Sequence, residues 1–220
     1  MSIDAGRVTE WRRGRRHPGL VELTVCQLLR ELAAAVPSDE AIVELGAYKG
    51  RATGWLLLGA SEGQGAHVTT VDLWTLHRPR PDYPDQLTDR YGQREVYEAF
   101  KRYMAEIGAG PDHLTVRRGY AANVGRRWNG PSVGLLWHDA GHSADDVERD
   151  LTAWLPHLSD TAVIALHDAA NHQPPHYDVE SGAARVLDGA PGWDWEGRRL
   201  VRWTRRPDRR GVLVVRRQPS

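Results

Sequence analysis

Only one cysteine, Cys26, occurs in the 220 residues, so no internal disulfide framework holds this chain together. It lies within an apolar helical pattern, where core packing is its expected role. The absence of a disulfide set fits a reducing, cytoplasmic setting. No apolar run approaches the ~20 residues of a membrane span, and the first residues lack the charged-then-apolar order of a secretory signal. Excess charge is missing too: 29 basic and 29 acidic side chains leave a formal net charge of zero. A chain so balanced is no general polyanion binder. Its arginines crowd the two ends, Arg7 to Arg16 and Arg198 to Arg217, while acids gather from Asp145 to Asp150. Without interleaved aromatic and basic residues, these runs read as solvated termini and argue against a nucleic-acid partner. No internal repeat is visible. The length suits one α/β domain over 1–220, with 1–17 as a loose basic arm.

What is present is an alternation of apolar patterns. Helical spacing predicts helices over 19–36, 51–60, 94–107, 144–155 and 183–187. Short apolar runs predict strands over 41–45, 67–71, 114–116, 133–138, 162–166, 199–204 and 212–216. Residues 74–92 and 169–179 are rich in proline and polar residues and read as surface loops on the binding side. The turn-forming stretch Pro207 to Gly211 joins the last two strands as an antiparallel hairpin. The order implies an α/β fold: a mostly parallel sheet with helices on both faces and a C-terminal antiparallel hairpin.

In such a sheet, ligands bind beyond the carboxyl ends of the strands. The first strand runs into Gly46-Ala47-Tyr48-Lys49-Gly50, a glycine-punctuated turn ahead of a helix, and the second ends on Asp72. A turn of this kind brings a ligand against bare backbone, and an acid on the next strand can grip ribose hydroxyls. The G-x-G-x-x-G spacing that cradles a pyrophosphate is absent. With Glu44 two residues before the first glycine, the pattern favours a nucleoside cofactor without phosphates over a dinucleotide. Later strand ends contribute Gly119-Tyr120, Asp139 to His142, and His167-Asp168.

Five blocks occur in order: Val43 to Thr53, Val71 to Trp74, Leu135 to Ser143, Val147 to Leu158, and Ile164 to Asp168. Together they resemble the class I S-adenosylmethionine-dependent methyltransferases, and within them the macrocin O-methyltransferase-like and cephalosporin hydroxylase-like group. The resemblance implies a Rossmann-like fold on a seven-stranded sheet. It also implies that Glu44, Gly46 and Gly50 surround the amino-acid part of S-adenosylmethionine and that Asp72 holds the ribose hydroxyls. Trp74 and Tyr120 would lie near the adenine, with Ala47, Tyr48, Leu73 and Ala121 completing the cofactor-binding set.

The same resemblance assigns a second cluster to catalysis. Asp139 and Asp168 could bind one hard divalent ion such as Mg²⁺, although Ala169 stands where many metal-binding relatives carry another acid or amide. His142, three residues after Asp139, is similar to a histidine that serves some relatives as general base. Alternatives remain at this level: Asp139 as the cap of the following helix, His142 bonded to its own loop, and His167 as a structural histidine. His172 and His176 read as part of a substrate-side loop, with no zinc spacing around them. The expected activity is O-methylation of a small hydroxylated natural product, sugar or phenol, by an enzyme of a kind that is often a homo-oligomer. A cofactor-binding accessory protein and a nucleic-acid methyltransferase are the competing readings.

Overall fold

A computed structural model describes residues 3–9, 20–74, 93–170, 172–174, 177–195, 197–202 and 211–218. Strand β1 (Ala41–Leu45) is buried at every position, as expected of a parallel strand covered on both faces. It pairs in parallel with β2 (His67–Asp72), which pairs with β3 (Leu114–Arg118). On its other side β1 pairs with β4 (Val133–His138), and β4 with β5 (Leu158–Leu166). The segments β6 (His172–Gln173) and β7 (Tyr177–Asp178) form a separate two-stranded ribbon. Strand β8 (Arg199–Arg202) and strand β9 (Gly211–Arg216) close the main sheet, β9 lying antiparallel to both β5 and β8. The sheet has seven strands in the order β3-β2-β1-β4-β5-β9-β8.

Alternation of side chains along the strands divides the core between two helical layers. Ile42, Val68, Leu135 and Trp137 join residues of α2 (Leu23–Ala34), α3 (Arg51–Glu62) and α4 (Gln93–Glu106). Val43, Leu45, Leu136 and Ile164 join those of α5 (Ala121–Gly125), α6 (Ala144–Trp154) and α7 (Val179–Leu187). The expected doubly covered sheet with its antiparallel C-terminal pair is the fold observed.

Some local expectations change. Part of the supposed loose arm is anchored: Ala5–Thr9 is a short helix, α1, and Ile3 and Val8 are buried. The Asp4 amide also donates to the carbonyl of Ile107 at 2.9 Å. The reason is packing, since two aliphatic side chains outweigh the polar composition around them. Helix α5 was not expected, β5 begins four residues early, and α7 starts at Val179 within the anticipated loop. Residues 75–92 and the turn 203–210 lie outside the described residues. Among the described residues, no helix is long and apolar enough to cross a membrane.

The strand order reverses between β1 and β4, so the loops leaving these two strands stand side by side. That is where a crevice opens at the carboxyl edge of such a sheet.

Candidate active site

The two loops at the switch point are joined by backbone. The Asp139 amide donates to the Leu45 carbonyl at 2.7 Å, and the Gly46 amide to that of Val71 at 2.8 Å. Gly46 has φ of 90°, and a β-carbon there would overlap the backbone carbonyl of Asp139. A glycine is therefore required for β1 and β4 to deliver their loops to one place. Gly50, also left-handed, ends the turn as the residue preceding α3.

Asp72 organises the turn from the next strand. Its Oδ2 accepts the amides of Ala47 and Tyr48 at 2.9 and 2.8 Å, and its Oδ1 the amide of Trp74 at 2.9 Å. A further amide, that of Leu73, also bonds this carboxylate. Burial pushes its pKa up, opposed by these amides, which favour the charged form. A carboxylate offers about four acceptor positions, so the acid expected to hold ribose hydroxyls is largely engaged by the turn itself.

Glu44 projects to the α3 side of β1 and is fully enclosed. Its Oε2 accepts hydroxyl bonds from Thr53 at 2.6 Å and Thr70 at 2.7 Å, whereas Oε1 has no hydrogen-bond partner among the described residues. Burial pushes its carboxyl up to about 8.

Trp74, expected near the adenine, packs inward. It is buried against Tyr97 and Phe100, with ring centroids 5.0 and 4.8 Å away, and its indole N–H donates to the Tyr48 carbonyl. A φ of 39° turns the chain so that the indole tucks inward beneath α4. Tyr120, by contrast, is 53 % exposed at the end of β3, just before Ala121 opens α5. Leu73 is partly exposed beside them.

The second cluster forms where β4 and β5 end. Asp139 does not cap α6; Ser143 does, accepting the Asp146 amide. The Asp139 carboxylate instead accepts from His167 Nδ1 at 2.9 Å and lies 3.4 Å from His142 Nε2. The same His142 nitrogen lies 3.7 Å from Asp168 Oδ2, so an imidazole stands between the two carboxylates. The His142 ring packs on Tyr177 of β7, centroids 5.2 Å apart.

His167 is almost enclosed. Burial opposes its charge, but Asp139, Glu22 and Asp168 outweigh burial and hold its pKa well above the ordinary value. Burial likewise works to raise Asp139, yet His167 and His142 prevail and hold it below the usual carboxylate range. Behind the cluster, His138 Nε2 lies 3.3 Å from Asp150 Oδ2, an enclosed pair tying β4 to α6.

Strain marks the same region. Among the described residues, the non-glycine residues with positive φ are Tyr48, Trp74 and Asp168, which follow β1, β2 and β5. Such conformations cost about 1–3 kcal/mol each and persist where the surroundings over-determine them.

Thus the structure gathers Gly46, Ala47, Tyr48, Gly50 and Asp72 at one edge and Asp139, His142 and Asp168 beside them. Trp74 is buried against α4, and Glu44 is enclosed. The sequence reading missed Glu22, which approaches His167 from the start of α2 and carries no local motif. It also missed Tyr177 and the hydroxyl partner Thr70.

A methyltransferase domain family matches residues 43–169, more than half of the chain. The O-methyltransferase TomG from Streptomyces achromogenes, involved in tomaymycin synthesis and solved with S-adenosylmethionine, is 17 % identical. It is matched over 90 % of this chain and 82 % of its own, with a TM-score of 0.64. An O-methyltransferase from Bacillus cereus, solved with S-adenosylhomocysteine, is 14 % identical with the same coverages and a TM-score of 0.64. CalS11, a TDP-rhamnose 3′-O-methyltransferase of calicheamicin biosynthesis, is 17 % identical over 88 % of this chain and 78 % of its own, at a TM-score of 0.58. At these identities the solved structures attest the shared fold, while the family match carries the assignment. The chain belongs to the methyltransferase domain family, within the class I S-adenosylmethionine-dependent methyltransferases.

Proposed function

We propose that this protein methylates a hydroxyl oxygen of a small natural product, a sugar or a phenol, with His142 as the general base. The observation that carries this reading is the position of His142 Nε2 between the carboxylates of Asp139 and Asp168, beside the switch-point crevice. An imidazole titrates near neutral pH, and a flanking carboxylate stabilises the imidazolium that forms as it takes a proton. The donor supplies a sulfonium methyl group. The acceptor oxygen forms a bond to that carbon as the carbon–sulfur bond breaks, its electron pair staying on sulfur, and the hydroxyl proton passes to His142 Nδ1, since Nε2 already donates to the Asp139 carboxylate. Enclosure and orientation supply much of the remaining effect.

For the cofactor, the turn from Gly46 to Gly50 with the amide-held Asp72 supplies the edge of the crevice, and Tyr120 supplies an exposed aromatic face. Glu44 Oε1, a buried acceptor without a hydrogen-bond partner, suits the cationic end of an amino-acid moiety or a water serving it. Asp72 would meet ribose hydroxyls with the part of its carboxylate left exposed.

Magnesium fits the donor set less well. Mg²⁺ takes a near-octahedral shell of oxygens. Here Asp139, His142 and His167 present ligand atoms within 4.8 Å of one another, two of them imidazole nitrogens. With His167 Nδ1 donating to Asp139, that nitrogen has no lone pair left for an ion, and deprotonation is assigned to His142 without magnesium.

The test is production of S-adenosylhomocysteine with catechol and with TDP-rhamnose as acceptors, alongside calorimetry of S-adenosylhomocysteine binding. His142→Ala is expected to lower kcat by about 10²–10⁴ while leaving cofactor affinity intact. Full activity in that variant would remove His142 as base. Cofactor binding without product from a broad set of hydroxyl acceptors would favour the accessory-protein reading.

A further inference from the structure

Glu22 lies outside the family-matched segment and belongs to a different element from every residue assigned above. It occupies the N-cap position of α2, with extended backbone and its carbonyl accepting the Cys26 amide. Aspartate, serine and asparagine at this position ordinarily bond the first free amides of the helix, and glutamate is not among the usual caps. Glu22 makes no such side-chain cap. Its Oε2 instead lies 3.5 Å from Nε2 of His167, whose Nδ1 donates to Asp139 at 2.9 Å. Both ring nitrogens of His167 therefore face carboxylates, and the ring also packs on Trp137 with centroids 5.5 Å apart. Asp139 in turn faces His142 Nε2. Acid and imidazole alternate along a chain of four side chains from three elements: Glu22, His167, Asp139, His142.

Resting on the reading of His142 as base, we propose that Glu22 is a positioning residue of the active site. Its carboxylate attracts the Nε2 side of the His167 ring, an ion pair at 3.5 Å without hydrogen-bond geometry, so that Nδ1 is presented to Asp139, and it thereby fixes the carboxylate that orients His142. A histidine bonded on one side only could rotate about χ2 and release Asp139. Held between two acids and an indole face, it has one orientation. The outer link is the longest in the chain, an ion pair at 3.5 Å. Its origin in the N-terminal segment couples the start of α2 to the chemistry at the ends of β4 and β5.

Glu22→Ala is expected to lower kcat on the order of tenfold to a hundredfold with catechol or TDP-rhamnose, whichever is methylated, and to leave the KM for S-adenosylmethionine unchanged. Glu22→Gln, which keeps an oxygen acceptor, should recover part of that loss. The double variant Glu22→Ala/His142→Ala should be no slower than His142→Ala, because both act through one group. A purely structural role would lower stability without this non-additivity. Nitrogen-edited NMR of the imidazoles supplies a readout that needs no acceptor. His167 should show protons on both ring nitrogens in the intact protein, and Glu22→Ala should broaden or lose the Nε2 proton. Wild-type kcat in Glu22→Ala beside an impaired His142→Ala would overturn the positioning role alone. An unimpaired His142→Ala would overturn the reading beneath it. An unprotonated Nε2 in the intact protein would overturn the proposed contact directly.

Discussion

Glu44 shows how one residue can link a motif to the stability of the whole fold. It is enclosed within the sheet, supported by two threonine hydroxyls, and its carboxyl is pushed by burial from the ordinary 4.5 up to about 8. A raised carboxyl pKa means the folded chain binds the proton more tightly than the unfolded chain. This contribution to stability is fully present below about pH 4.5 and is lost as pH rises through about 8. Its size across that window is on the order of a few kcal/mol, at about 1.4 kcal/mol per pKa unit. Glu44→Gln, which does not titrate, is expected to flatten the fall in Tm between pH 5 and 8 relative to the parent. Parallel pH profiles for the two proteins would show that Glu44 is ionised in the fold. The identity of Glu44 was legible from the motif, but its enclosure was not. Alternation along β1 places residue 44 on the α3 side, and only the packed helix with Thr53 shows that the carboxylate is covered. Trp74 illustrates the same limit: an aromatic after a strand is visible in the sequence, whereas the positive φ that turns it inward is not.

At the scale of elements, the site depends on two loops fitting against each other. Gly46 permits this contact, because any β-carbon at that position would overlap Asp139. Gly65 makes a natural comparison: its φ is 81°, yet open space surrounds it. Both positions impose the left-handed strain on an alanine, about 1 kcal/mol, but only one adds a steric collision with backbone. Gly46→Ala is therefore expected to destabilise the protein by about 2 kcal/mol or more beyond Gly65→Ala and to abolish cofactor binding, as read by urea unfolding and calorimetry. Equal losses at the two positions would mean that the β1 and β4 loops yield easily. Strands β1 and β4 were legible because burial on both faces makes them mostly apolar runs, followed by Gly46 and Asp139. Helix α5 was not, since five residues beginning Ala121-Ala122 carry too little periodicity to separate from a turn. The start of β5 was missed for a related reason. Ser159, Asp160 and Thr161 interrupt the apolar pattern while the backbone is already extended.

Across the whole molecule, the sequence and the structure disagree most about the N-terminal residues, and the disagreement has an energetic consequence. Polar composition suggests an arm in solvent, yet Ile3 and Val8 enter the same core as Phe100, Met104 and Ile107. The Asp4–Ile107 backbone bond fastens the segment to the end of α4. Burying an aliphatic side chain contributes about 1.5–3 kcal/mol relative to exposure, and the ordering of a short segment offsets part of that gain. Removal of residues 1–9 is therefore expected to cost roughly 2–4 kcal/mol by this reckoning. The loss should appear as a lower urea midpoint with little change in slope, because a short segment exposes little additional surface. The site should respond differently from the core. The residues assigned to the site follow β1, β2, β4 and β5, and Glu22 lies beyond the deleted residues. Affinity for S-adenosylhomocysteine should therefore persist at temperatures where the shortened chain remains folded. Bound cofactor should then raise the Tm of both forms by mass action. A shortened chain with an unchanged midpoint would mean that Ile3 and Val8 do not hold their places in the core. Weakened cofactor affinity at full foldedness would mean instead that the N-terminal segment reaches the site by a route other than Glu22.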